Sequence, residues 1–151
     1  MKKMLLMAVA FLMTTAMNAQ NDEKGFSYAA EVGLGSELEL GVRAQYNFNK
    51  YFALDLPVLK YARDYGTHPF NEITIQAGVR GFSPTFGPDL KAFAALDMGY
   101  GNMFKNEGTS SFAIDFTMGF YVWEGLYVGY GYGGMRHHSD HLVRVGYSFT
   151  Y

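Results

Sequence analysis

From Phe26 onward hydrophobic and polar positions alternate with a period of two, and the alternation restarts after each turn signal. That is the signature of half-buried β-strands. Phe26, Tyr28, Ala30, Val32 and Leu34 share one face of a first strand, with Ser27, Ala29, Glu31 and Gly33 on the other. A second strand sets Leu38, Leu40, Val42, Ala44, Tyr46 and Phe48 against Glu39, Gly41, Arg43, Gln45 and Asn47. The third carries Phe52, Leu54, Leu56 and Val58, with Asp55 and Pro57 opposite. Pro57 cannot donate to a ladder, so this strand should bulge or end early. Five more strands are centred on Ile75, Ala94, Ile114, Val128 and Val145. The last alternates Val143, Val145, Tyr147, Phe149 and Tyr151 with Arg144, Gly146, Ser148 and Thr150, and runs to the end of the chain. Each strand approaches the about nine to eleven residues that cross a bilayer when tilted.

The connections alternate too. Lys60 to Asn71, Gly101 to Ser110 and Gly133 to His141 read as longer polar loops, whereas "FNK", "SPTFGPD" and "VWEG" are shorter turns. Long loops on one side and short turns on the other suit an outer-membrane barrel with both termini on the short-turn side.

Alternation alone does not say which face points inward, but volume does. The apolar phase is crowded with Phe, Tyr, Leu, Ile and Met, more than the narrow interior of an eight-stranded barrel can hold. The other phase, rich in glycine, Ser and Thr, has the volume of a filled core. A soluble barrel would also carry Lys and Glu outside, yet the apolar phase of these eight strands has no charged residue. The expected fold is all-β: an eight-stranded antiparallel transmembrane β-barrel with its apolar face toward lipid. Phe26, Tyr28, Phe48, Phe52, Phe120, Trp123, Phe149 and Tyr151 fall near the short turns, and Tyr61, Tyr100, Phe112, Tyr130 and Tyr132 near the long loops, as interfacial belts require.

Composition adds the address and the exclusions. Lys2 and Lys3, the apolar run Met4 to Met13 and the small-residue zone "TTAMNA" form a secretory leader, expected at 1–19 with cleavage after Ala19 or Ala16, ahead of a barrel at 20–151. Loss of Lys2 and Lys3 leaves ten basic against fourteen acidic residues, moving the net charge from −2 to −4. Nucleic acid is therefore not an expected partner. With no cysteine in the chain, disulfides, thiolate metal sites and a lipidated N-terminal cysteine are excluded. No cofactor is implied.

Three sets of residues could carry chemistry. The inward phase holds Glu31, Glu39, Asp55, Asp97 and Asp115 with Arg43, Arg80, Lys91 and Arg144. In a narrow interior these nine groups should pair into a structural network that fills the lumen, with an ion path or proton relay as the functional alternative. "RHHSDH" places His137, His138 and His141 beside Asp140 in an expected outer loop, with His68 in another, a candidate but loosely spaced metal site. Ser139 among those histidines also admits a hydrolase, although triads normally join residues distant in sequence. The glycines of "GYGYGG" lack the following helix of a phosphate loop and instead leave room for Arg144 and other long side chains to cross the lumen.

The stretches "GVRAQYNFNKYFALDLPVLKYA", "AGVRGFSPTFGP", "AALDMGYG" and "GLYVGYGYGG", followed by the aromatic final strand, resemble the small outer-membrane β-barrel family described as porin-like or opacity-protein-like. The resemblance covers nearly all of the mature chain. It implies a barrel placed in the outer membrane of a Gram-negative-type cell by the barrel-assembly machinery, which reads a signal ending on the terminal aromatic. For activity it implies a non-enzymatic structural or surface-interaction barrel, in contact with outer-membrane lipid and open to an extracellular ligand at its long loops. A narrow passive channel and a lipid-modifying enzyme are the alternatives.

Overall fold

The computed structural model describes residues 25–64, 71–86, 90–104, 109–135 and 138–149. The leader expected at 1–19, His68, His137 and Tyr151 lie outside the described residues.

Eight antiparallel strands form one closed barrel in sequence order: β1 (Gly25–Leu34), β2 (Glu37–Asn49), β3 (Phe52–Asp64), β4 (Asn71–Phe86), β5 (Leu90–Phe104), β6 (Thr109–Trp123), β7 (Leu126–Met135) and β8 (His138–Ser148). The seam is β8 on β1, from Ala29 opposite Ser148 to Leu34 opposite Val143. Past the end of β8, Phe149 N donates to Tyr28 O at 2.8 Å. The closing strand is thus bonded on both edges, as lipid requires, since an open sheet edge there would leave backbone groups unsatisfied.

Alternation in sequence becomes two faces in space. Ile75 and Val79 are 57% and 58% exposed on the outside, whereas Asp55 and Arg144 are fully buried inside. Every belt aromatic named above for which exposure is described lies outside; Tyr28 is half-buried and the others are exposed. A surface of this kind would be insoluble in water and is stable in hydrocarbon, so the barrel is of the transmembrane type.

Two expectations need correction. The third strand bulges, one of the two outcomes expected of Pro57, but does not end there: it runs to Asp64, and its register against β2 and β4 shifts around Leu56 and Pro57. The extra residue leaves Leu56 and Pro57 both exposed and flips every later position. Val58 is therefore fully buried rather than lipid-facing, Leu59 and Tyr61 face out, and Lys60 and Ala62 face in. The long polar loops are also mostly strand. The connections that remain at that end are 35–36, 65–70, 105–108 and 136–137, against 50–51, 87–89 and 124–125 at the end bearing the termini. Polar side chains there sit on a continuing ladder, with Arg63 opposite Asn71, Asn102 opposite Ser110 and Gly134 opposite Ser139. Backbone pairing outlasts the apolar belt because strands can project into water once their side chains turn polar.

Candidate functional site

The lumen is filled in two tiers. Toward the terminal end, inward positions near the last turns of the chain carry rings: Phe93 of β5, Tyr121 of β6 and Tyr127 of β7 are all buried, with Phe82 of β4 packed against them. Their centroids stand 5.2 to 5.4 Å apart among Phe93, Tyr121 and Tyr127, within the range of favourable edge-to-face contacts. Tyr127 fits because its cross-strand neighbour is Gly146; a Cβ there would strike the tyrosine ring. The Arg80 guanidinium caps this plug 4.6 Å above the Phe93 ring.

Toward the distal end the lumen is ionic. Arg144 presents its fork to Glu39, with Nε donating to Oε1 at 2.8 Å and Nη2 to Oε2 at 2.9 Å. Its Nη1 and Nη2 also donate to the two oxygens of Asp115 at 2.6 Å each, and Nη1 reaches Thr117. Gly131, opposite Leu142 on β8, makes the space: a Cβ there would collide with the guanidinium. Lys60 Nζ donates to Asp115 at 2.8 Å and lies 3.8 Å from Glu39 and 3.9 Å from Glu31. A second knot joins Arg43 to Glu31 and to Asp55 at 2.9 Å, Arg80 Nε to the same Asp55 oxygen at 3.0 Å, and Arg43 Nη1 to Asp97 at 4.0 Å. Tyr127 OH donates to Glu31 at 2.6 Å, tying the aromatic tier to the ionic one.

Eight of the nine inward charges named from the sequence thus meet in these two knots. Lys91 does not. It sits half-buried at the terminal rim with its ammonium 4.4 Å over the Phe82 ring and no carboxylate within ion-pair distance among the described residues. The base that joins the network is Lys60, expected in a loop from its polar surroundings; the shift at Leu56 and Pro57 turns it inward on β3. Glu37 and Glu72, buried at the distal mouth, were also missed. Each lies two positions from an inward residue, Glu39 or Thr74, so extending the alternation one step past the apolar belt finds them. The void between the distal side chains is about 20 Å³, room for about one water.

Of the candidate histidine cluster, the described part lies in a strand. His138, Ser139, Asp140 and His141 are in β8, and the side chains of Ser139, Asp140 and His141 alternate across the sheet. Ser139 and His141 are exposed on the outside, while Asp140 accepts from Ser36 at 2.5 Å and from the His141 backbone N–H at 2.8 Å. The His141 ring stacks on Tyr132 at 4.7 Å and its Nδ1 bonds the Tyr130 hydroxyl. Among the described residues no three acidic or histidine side chains could hold one metal ion. Val143, Val145, Tyr147 and Phe149 of the closing strand all face out beside the inward Arg144.

Comparison with protein-family models and with curated protein sequences finds no match. Among solved structures, the N-terminal β-barrel domain of OprF from Pseudomonas aeruginosa superposes with a TM-score of 0.59 at 12% identity, covering 85% of this chain and 98% of that one. Neisserial surface protein A gives 0.58 at 16% identity over 82% of this chain and 92% of that one. The outer membrane enzyme PagL gives 0.56 at 13% identity over 81% and 97%. At these identities the likeness is one of fold, and the chain has the fold of the small eight-stranded outer-membrane barrels.

Proposed function

We propose that this chain is an outer-membrane barrel whose role is structural or interactive rather than catalytic, exposed at its distal rim and closed through its lumen. The observation that carries this is the pairing of an apolar exterior with an interior in which the described residues pack rings toward one end and ion pairs toward the other. Rings and ion pairs packed across the lumen by the described residues argue against the narrow-channel reading. The enzyme reading is disfavoured by Asp140, whose side chain is on the opposite face of β8 from Ser139 and His141. Any ligand from outside would meet short, strand-borne rims: Tyr130, Tyr132, Ser139 and His141 on one flank, Tyr61, Arg63 and Asn71 on another. The lumen network then serves to hold the barrel's cross-section rigid. On this reading the leader at 1–19 is removed on export, both termini face the periplasm, and the barrel-assembly machinery inserts the chain through β8 and its terminal aromatic.

The test is a gel of outer-membrane fractions, unheated and boiled. A folded barrel migrates differently before and after boiling and sediments with the outer membrane. Recovery in the soluble periplasm with unchanged migration would contradict the proposal, as would stable conductance of nanosiemens order from the purified protein in planar bilayers.

A further inference from the structure

The buried charges do not balance at the distal mouth. Leaving Glu37 aside, Glu39, Glu72 and Asp115 line the small cavity there, and the cations of that lining are Lys60 and Arg144. Both cations are already committed, Arg144 to Glu39 and Asp115 and Lys60 to Asp115. Glu72, 5% exposed, makes no hydrogen bond or ion pair among the described residues. A carboxylate largely withdrawn from water and without a protein partner favours a proton or a cation.

Neutral oxygens are also placed there. Thr74 Oγ1 and Gln76 Oε1 are buried without a hydrogen-bond partner, their residues 6% and 4% exposed, and both line the same cavity. Glu39 and Glu72 flank Ala62, each being its direct cross-strand partner, so only a methyl group separates the two carboxylates along that row. Each Glu39 oxygen accepts from Arg144 yet keeps a lone pair to offer. The donor set is all oxygen: two carboxylates, one hydroxyl and one amide carbonyl. Oxygen shells select hard cations, and irregular ones suit Ca²⁺ better than Mg²⁺, which demands near-ideal octahedral geometry.

We propose that the distal mouth of the lumen binds one hard divalent cation, Ca²⁺ by preference, between Glu39 and Glu72, with Thr74 and Gln76 supplying neutral oxygen ligands. The ion offsets the acidic surplus and cross-links β2 to β4 over Ala62. This goes beyond the structural role proposed above and does not depend on what the rim contacts.

The experiment is calorimetric titration of Ca²⁺ into the chelator-treated full chain in micelles, after heat-modifiable migration has shown that it is folded. One Ca²⁺ should bind with a Kd tighter than about 1 mM and raise the unfolding temperature. Glu72→Gln should lose binding, Thr74→Val should weaken it about tenfold through loss of one ligand, and Glu124→Gln, in a turn at the other end, should change nothing. If Glu72→Gln does not fold, Thr74→Val and Gln76→Leu carry the test. A folded wild type that binds no Ca²⁺ up to about 10 mM, or variants that bind as the wild type does, would overturn the site. So would a Glu72→Gln barrel equal in stability to the wild type in Ca²⁺, the result expected if Glu72 simply holds a proton.

Discussion

The two halves of the lumen solve the same problem with opposite chemistry. Both must fill a cylinder that water would otherwise enter. The terminal-end tier does so with Phe93, Tyr121 and Tyr127, whose rings pack without directional demands beyond the edge-to-face preference. The distal tier uses Glu39, Lys60, Asp115 and Arg144, where each group is acceptable only because the others are present. The aromatic tier should therefore fail gradually under substitution, and the ionic tier abruptly.

Four substitutions sharpen that contrast, each read as unfolding free energy from denaturant titration in micelles. The largest effect is expected from Arg144→Met, which strands Glu39 and Asp115 in a buried space and should cost about 3–5 kcal/mol. A loss below about 1 kcal/mol would mean that the carboxylates find water, and that the distal tier is wetter than its packing implies. Tyr127→Phe removes a hydrogen bond that joins the tiers and leaves Glu31 a donor short, for about 1–3 kcal/mol. Phe93→Leu shrinks a ring that touches two others and the Arg80 guanidinium, and should cost about 1–2 kcal/mol. Lys91→Met, at the half-buried rim, loses a cation–π contact and no ion pair among the described residues, and should stay within about 1 kcal/mol. If Lys91→Met proved as damaging as Arg144→Met, the division of the lumen would be wrong. Added salt should alter none of the first three losses, because buried pairs are poorly screened.

How much of this the sequence discloses follows the range of the interactions. Period-two alternation is local, and it yields eight strands, the lipid-facing side and the inward phase of Arg43, Arg80, Asp97 and Arg144. Pro57 signals an irregularity, but a bulge's consequence is felt downstream: Lys60 changes face because of residues three and four positions earlier. Polarity misleads at the distal end for a different reason. It reports where lipid stops, while strand pairing continues through Arg63, Asn71, Asn102 and Ser139 on backbone hydrogen bonds that do not require apolar side chains. The partners inside the lumen are the least legible. Arg144 meets Glu39 across 105 positions and Lys60 meets Asp115 across 55, pairings set by barrel closure and not by any motif. Glycine does give a hint: Gly131 and Gly146 stand where the long side chains of Arg144 and Tyr127 need room.

The barrel can play its proposed role only if it is apolar outside and polar within. Because the chain has no cysteine, single cysteines carrying a spin label can be placed without background. Labels at Val32, Ile114, Met118 and Val145, all exposed and near mid-strand, should in bilayers collide more often with membrane-soluble oxygen than with an aqueous nickel chelate. Preference for the nickel chelate at those four positions would contradict the orientation, and with it the reading of the lumen as the site of this protein's charge.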